Sequence, residues 1–167
     1  MSVAFIGLGA NLGDPIVTVG NALRDLGQIE GTRLLQQSSL YGSKALGPGS
    51  QPDYVNAVAQ VQTTHYPHDL LDVLLAMEAR HGRVRDGQRW GPRTLDLDLL
   101  LYAELQLNDY RLTLPHPEIK RRNFVLVPLL ELVPDVRIPG QGSARALLDQ
   151  IGTAGLMPLD LPADTAG

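Results

Sequence analysis

The sequence contains no cysteine among its 167 residues, which excludes a disulfide framework and a thiolate metal site. It has no run of about 18 apolar residues, the length needed to span a membrane. Its first residues, MSVAFIGLGANLGD, lack the basic start and long apolar core of a signal peptide. We therefore expect a cytoplasmic protein that does not enter membranes. The net charge of −4 argues against general binding to nucleic acid.

Several catalytic motifs are also missing. The sequence has no G-x-x-x-x-G-K-[ST], which excludes a P-loop NTPase, and no G-x-S-x-G of the serine hydrolases. The segment GLGANLG, from Gly7 to Gly13, is close to the dinucleotide fingerprint G-x-G-x-x-G. However, Leu12 stands where that fingerprint requires its third glycine. A dinucleotide-dependent dehydrogenase is therefore disfavoured.

The chain has the length of one ordinary domain, which we place at residues 1–155, with a loose C-terminal tail at 156–167. Strands are predicted by apolar or alternating runs, and helices by apolar residues at helical spacing between proline and glycine. The predicted strands are 3–8, 33–40, 54–62 and 94–101, with a short extended piece at 112–117. The predicted helices are 15–27, 67–82, the later part of 124–132, and 144–151. Two glycine-containing loops lie at 42–53 and 83–93.

The order β-α-β-β-α-β predicts an α+β fold of the ferredoxin-like type. We expect an antiparallel sheet, helices mainly on one side of it, and extra helices at the C-terminal end.

The basic residues are concentrated in one part of this acidic chain. Nine of the fourteen lie between Arg80 and Arg122, and most of the fourteen are arginine. A local cationic patch suits a small anionic ligand such as a phosphate chain, which arginine can bind by bidentate contacts. The alternative is a solvated surface with exposed ion pairs.

Asp96 and Asp98 lie two residues apart on the predicted strand 94–101, so both carboxylates point to one side. Leu95, Leu97 and Leu99 point to the other side, into the core. Two neighbouring carboxylates on an apolar strand repel each other and lose hydration, a penalty that a divalent cation removes. Hard oxygen ligands favour magnesium. The alternative is an edge strand with a solvated acidic face.

Tyr54 and Asn56 share one face of the strand 54–62, and Phe124 is a second aromatic residue far away in sequence. An aromatic ring can stack on a flat heterocycle, and an amide can read its donor and acceptor edge. An ordinary half-buried strand would have the same pattern. His116 could contact a phosphate or a base, although a lone histidine is more often structural.

With these residues assembled, the chain resembles the 6-hydroxymethyl-7,8-dihydropterin pyrophosphokinase family. Four segments carry the resemblance: VAFIGLGANLGD, LGPGSQPDYVNAV, GRVRDGQRWGPRTLDLDLLLY and RLTLPHPEIKRRNFVLVPL. It implies transfer of a pyrophosphoryl group from Mg-ATP to a hydroxymethyl-dihydropterin, leaving AMP, as a step of folate biosynthesis. A non-catalytic module that binds a nucleotide or pterin is the alternative. A monomer is expected.

The resemblance also implies roles for individual residues. Two magnesium ions would be held by Asp96 and Asp98, and the catalytic residues would be these two with Arg83 and Arg93. The pterin would contact Ser43, Leu46, Tyr54, Asn56, Trp90 and Phe124. ATP would contact Glu78, Arg85, Trp90, Arg93, Leu99, Arg111, Thr113, His116 and Arg122. The two glycine-containing loops would close over the substrates.

Overall fold

A computed structural model describes residues 1–43, 53–81 and 95–159 of the chain. The predicted strands and helices recur in the expected order, with shifted ends. The elements are β1 Ser2–Ala10, α1 Pro15–Leu26, β2 Thr32–Gln37, β3 Tyr41–Ser43, β4 Tyr54–Thr63, α2 Pro67–Arg80, β5 Asp96–Tyr102, β6 Leu107–Asn108, β7 Thr113–Leu114, a 3-10 turn Ile119–Arg121, α3 Asn123–Leu132, β8 Arg137–Ile138, β9 Gly142–Ser143, α4 Ala144–Ile151 and β10 Leu156–Pro158.

The main sheet is antiparallel, with strand order β10-β3-β4-β1-β5, and β2 also pairs with β4. The predicted strand 33–40 is thus two short strands, β2 and β3. At the interruption, Ser38 donates its backbone N–H to the Val58 carbonyl at 2.9 Å. Its hydroxyl oxygen accepts the Val58 N–H, also at 2.9 Å. The serine side chain therefore replaces a ladder acceptor, which lets the strand break without leaving a buried N–H unpaired.

Helices cover both faces of the sheet. One core joins β1, β4 and β5 to α1 and α2, through residues such as Leu23 and Leu74. A second core on the opposite face joins the sheet to α3 and α4, through residues such as Val58 and Leu126. The expectation of helices mainly on one side is therefore wrong. The segment 124–132 is apolar nearly all round, so as a helix it must be covered by other elements, and it covers the second face of the sheet.

Helix α3 also begins earlier than expected, because its first residue is Asn123 and the whole segment 124–132 is helical.

The C-terminal residues 156–159, expected to be loose, are ordered in the structure. Residues Leu156–Pro158, placed in a loose tail, form β10 on the edge of β3, and the Leu159 N–H donates to the Leu40 carbonyl at 3.0 Å. An edge strand offers unpaired backbone groups that such a segment can satisfy. The domain boundary at residue 155 stays a prediction, and residues 160–167 lie outside the described residues.

No helix in the described ranges is both long enough and apolar enough to cross a membrane.

Replacing Leu126 with alanine is expected to lower the free energy of unfolding by about 2–5 kcal/mol, because it leaves a cavity in the core under α3. Leu126 is 0% exposed, whereas Leu105, the matched control, is 38% exposed. Leu105→Ala should change stability by less than about 0.5 kcal/mol. Urea unfolding of both variants checks this, and equal effects would contradict the packing described.

Tyr41 links β3 to the end of α3. Its hydroxyl donates to Glu131 Oε1 at 2.6 Å, and the Ser39 N–H donates to Glu131 Oε2 at 2.9 Å. Burial, followed by the hydrogen bond to Glu131 and its negative charge, raises the pKa of Tyr41 to about 12.

Glu131→Gln should therefore lower the pKa of Tyr41 toward its ordinary value, without reaching it because burial remains. Since the folded-state pKa is the higher one, the Tyr41 contribution to stability is full below pH 10 and is lost as the pH rises toward about 12. Ultraviolet titration of tyrosinate, with Tyr41→Phe as the reference, measures the shift. An unchanged pKa would contradict the link.

Candidate functional site

Three neighbouring strands bring the predicted amide and carboxylate residues into one row. On the central strand β1, Gly9 pairs with Asn56 of β4 on one side and with Asp96 of β5 on the other. One step along, Gly7 pairs with Val58 and Asp98. Because directly paired residues point to the same face of a sheet, Asn56 and Asp96 face the same side across one glycine. With strands about 4.8 Å apart, their backbones are separated by about 10 Å.

This face opens into a cleft of about 520 Å³ beside the N-terminal end of α3. Gly7 and Gly9 form its floor. The lining residues at the β4 end are Ser43, Tyr54 and Asn56, those at the β5 end are Asp96 and Asp98, and those from the segment 118–125 are Glu118, Arg121, Arg122, Phe124 and Val125. The sequence thus predicted both ends of the cleft, one acidic and one with an aromatic pair and an amide.

Gly9 keeps the floor of the cleft low. A Cβ atom at this position would lie 3.3 Å from Oδ1 of Asn56, which is tighter than ordinary van der Waals contact. A larger side chain would also project into the space between Asn56 and Asp96. Gly7 and Gly9, the first two glycines of the segment GLGANLG, therefore leave room for a ligand over β1, between β4 and β5.

The amide of Asn56 is held in place from behind. The residue is 5% exposed, and its Nδ2 donates to Oγ of Ser43 at 2.8 Å. Of the residues predicted to contact a pterin, Ser43, Tyr54, Asn56 and Phe124 are therefore brought to one cleft. A buried amide whose orientation is fixed by a hydrogen bond can read the edge of a flat polar ring with little entropic cost.

The carboxylates of Asp96 and Asp98 are half-buried, and the leucines that alternate with them are buried in the core, as the strand pattern predicted. Asp98 has two cationic or potentially cationic neighbours. The guanidinium of Arg122 lies 3.5 Å from Oδ2, and Nε2 of His116 lies 3.8 Å from Oδ1. Arg122 also lies over the ring of Phe124, 5.7 Å from its centroid, within the range of a cation–π contact. Arg122 therefore spans the acidic and aromatic parts of the cleft.

His116 is fixed by one hydrogen bond of its main chain and one of its ring. Its backbone N–H donates to the Leu100 carbonyl at 2.9 Å, and its ring Nδ1 accepts the backbone N–H of Glu118 at 3.1 Å. The proton of the neutral ring therefore resides on Nε2, the atom that faces Asp98. Burial lowers the pKa of His116, and the nearby Asp98 carboxylate partly opposes that effect. A neutral His116 presents a hydrogen-bond donor toward the cleft.

Glu78 supports the acidic strand. It is 4% exposed at the end of α2, and its Oε2 accepts the N–H of Leu97 at 2.7 Å. Leu97 lies between the two aspartates, so this bond fixes the stretch of β5 that presents them. Glu78 is not among the cleft-lining residues that the structure describes. Its predicted contact with ATP stays a prediction.

Four other residues predicted for ATP, namely Leu99, Arg111, Thr113 and His116, are not among the described residues that line this cleft, although Nε2 of His116 lies 3.8 Å from the lining residue Asp98. The side chain of Leu99 is buried in the first core. Arg111 is hydrogen-bonded to Asp72 of α2. Thr113 donates to Asn108 across the β6–β7 hairpin at 3.1 Å.

The remaining predicted site residues, Leu46, Arg83, Arg85, Trp90 and Arg93, lie outside the described residues, as do most of the two predicted loops. Within the described ranges, no group of three or more histidines and acidic residues is arranged to hold a metal.

Sequence reasoning missed seven of the described residues that line the cleft, which are Gly7, Leu8, Gly9, Ala57, Glu118, Arg121 and Val125. Glu118 and Arg121 form an exposed pair, with the guanidinium 3.4 Å from the carboxylate. They lie within the segment RLTLPHPEIKRRNFVLVPL, where their opposite charges and spacing of three residues could have indicated an ion pair on one helical turn.

The fold and cleft define a mixed α+β domain whose main antiparallel sheet presents paired carboxylates and an aromatic, amide-bearing end on one face. The family model for 7,8-dihydro-6-hydroxymethylpterin-pyrophosphokinase (HPPK) matches residues 5–134. The chain belongs to this family.

Relatives of similar length support the match. A 2-amino-4-hydroxy-6-hydroxymethyldihydropteridine pyrophosphokinase of Haemophilus influenzae is 44% identical over 160 residues, 96% of this chain and 99% of the relative. Another, of Pseudomonas aeruginosa, is 49% identical over 135 residues, 81% of this chain and 83% of the relative. A solved Plasmodium falciparum HPPK-DHPS triple mutant has a TM-score of 0.75 at 12% identity, covering 96% of this chain and 45% of its own. This last likeness concerns the fold alone.

Glu78→Ala is expected to lower the free energy of unfolding by at least about 1–3 kcal/mol, since it leaves the buried Leu97 N–H without this acceptor. Glu78→Gln retains an acceptor oxygen and should lose less. Glu104→Ala, at an exposed position, is the control. Urea unfolding measures all three, and a Glu78→Ala variant as stable as the control would contradict the support of β5.

Proposed function

We propose that this chain transfers the pyrophosphoryl group of ATP to the hydroxymethyl oxygen of 6-hydroxymethyl-7,8-dihydropterin, releasing AMP, in folate biosynthesis. Membership of the family supports the reaction. The observation that carries it is the row Asn56–Gly9–Asp96, because a heterocycle bound at Asn56 would lie beside phosphates bound near Asp96.

The acceptor would lie at the β4 end of the cleft. Tyr54 lies on β4 and Phe124 on α3, and both line the cleft, so a flat ring bound there could stack on both. The amide of Asn56, held by Ser43, would pair with the donor and acceptor edge of the pterin. Leu46 and Trp90 would complete this pocket. The hydroxymethyl group would then point along the floor over Gly9, toward the carboxylates.

The side chains at the β5 end fit magnesium. Asp96 and Asp98 offer hard carboxylate oxygens on one face of a strand, and magnesium commonly takes one or two carboxylates while water and phosphate oxygens fill its other positions. We propose two ions, held by these two residues. When bound, magnesium supplies charge neutralisation for the phosphates and polarises the transferred group.

The chain's own residues would orient the phosphate chain. Arg122 and His116 now face Asp98, and both present donors that can turn to phosphate oxygens. Arg83 and Arg93 are proposed to bind the transferred group, and Arg85 to bind ATP.

We propose that ATP also contacts Glu78, Arg111, Thr113 and Leu99. Leu99 would do so through its backbone, because its side chain is buried in the first core. Phosphoryl transfer demands mainly such positioning and charge balance from the protein.

We further propose that the fold is ferredoxin-like. If β2 and β3 are counted as one interrupted strand, the elements up to β5 follow the order β-α-β-β-α-β. The four strands then lie side by side in the order β2/β3, β4, β1, β5. A cytoplasmic monomer remains our expectation for the chain.

The activity is tested by mixing the protein with Mg-ATP and 6-hydroxymethyl-7,8-dihydropterin and separating the nucleotides by chromatography. AMP is expected in a one-to-one ratio with the pterin diphosphate. Formation of ADP would contradict pyrophosphoryl transfer. Binding of both substrates without turnover would favour a non-catalytic binding module.

Asp98→Asn should reduce turnover by at least about 100-fold, since loss of several kcal/mol of transition-state stabilisation is expected when a metal ligand is removed. The matched control is Asp149→Asn, an exposed carboxylate of α4 outside the cleft lining. Thermal unfolding should show that both variants fold. Full turnover in folded Asp98→Asn would contradict its role.

A further inference from the structure

The segment from Gly152 to Leu159, here called the C-terminal strap, is attached to the wall of the cleft that contains Ser43. Within the strap, β10 pairs with β3 so that Leu156 is opposite Ser43 and Met157 is opposite Gly42. The Leu159 N–H donates to the Leu40 carbonyl at 3.0 Å. The strap therefore holds the edge strand whose Ser43 hydroxyl accepts the Asn56 amide.

The other end of the strap is attached to the start of α3, which also contributes to the cleft, through the side chain of Asn123. Nδ2 of Asn123 donates to the Gly152 carbonyl and to the Ala154 carbonyl, each at 3.1 Å. Both hydrogens of the amide are used in this way. Asn123 is the first residue of α3 and directly precedes Phe124. These two bonds thus fix the start of the helix that presents the Phe124 ring.

We propose that Asn123 is a positioning residue for the acceptor heterocycle, acting through the C-terminal strap to set the distance between the Phe124 wall and the Ser43 wall. This rests on the proposed function, since it takes the ligand between those walls to be a pterin. Asn123 is not among the described cleft-lining residues, so its effect is exerted through the strap and α3.

Loss of Asn123 should affect the aromatic end of the cleft more than the acidic end. Without its two bonds, the first turn of α3 can shift relative to β3, and a ring stacked between Tyr54 and Phe124 loses contact. Asp96 and Asp98 are held by pairing of β5 with β1 and by the Glu78 bond to Leu97, neither of which involves the strap. Pterin affinity should therefore fall more than nucleotide affinity, because Arg122, directly before Asn123, is the one proposed phosphate contact at the start of α3.

The test compares Asn123→Ala and Asn123→Asp with the wild-type chain. Binding of 6-hydroxymethylpterin is followed by its fluorescence, and binding of Mg-ATP by calorimetry. Asn123→Ala should weaken pterin binding by up to about tenfold, the size that one or two ordinary hydrogen bonds support. Asn123→Asp should weaken it at least as much, because a carboxylate has no proton to donate and faces two carbonyl oxygens. Asn123→Gln keeps both donors and should restore part of the affinity.

The control is Asn21→Ala, an exposed asparagine of α1 that accepts a hydrogen bond from Arg24. It should bind both ligands as the wild type does. Unchanged pterin affinity in Asn123→Ala, with or without a lower melting temperature, would overturn the inference, and so would an equal loss of pterin and Mg-ATP affinity. A wild-type chain that binds no pterin would instead contradict the proposed function, and the inference with it.

Discussion

The register of three antiparallel strands is the constraint on which the candidate site depends. Because Gly9 of β1 pairs with Asn56 on one side and Asp96 on the other, the distance between the two ends of the cleft is fixed by the spacing of hydrogen-bonded strands. A slip of one residue would turn the side chains of that strand to the other face. The core on the opposite face, built from the alternating residues, prevents such a slip.

The same register places the two negative charges of Asp96 and Asp98 at one end of the cleft, and neighbouring hydrogen-bond donors balance the charge of Asp98. The carboxylates of Asp96 and Asp98 come from a strand that is otherwise apolar, and Glu78 fixes its backbone between them. Arg122 and the Nε2 donor of His116 lie beside Asp98. The cleft therefore holds both carboxylates for a cation and donors for an anion, the combination that a magnesium-bound phosphate chain requires.

Local sequence patterns predicted most strands and helices. The features that the sequence did not predict depend on contacts between residues far apart in the chain. The alternation around Asp96 and Asp98 could be derived from a period of two, and it was confirmed. Periodicity indicates which side of a helix is apolar but not which face of a sheet it covers, so the expectation of helices mainly on one side of the sheet was wrong. The strap at Leu156–Pro158 was missed because an edge strand of three residues has little pattern of its own. The pairing of Gly9 with Asn56 depends on register, which spacing along the chain does not give.

The central claim, that a pterin and a divalent cation bind on one sheet face about two strand spacings apart, can be measured directly. With Mn²⁺ in place of Mg²⁺ and an ATP analogue bound, paramagnetic relaxation of the pterin protons reports their distance to the metal. Strong relaxation from a distance of about 10 Å or less is expected, and it should be lost in Asp96→Asn and Asp98→Asn. Simultaneous binding of both ligands without relaxation of the pterin protons would contradict it.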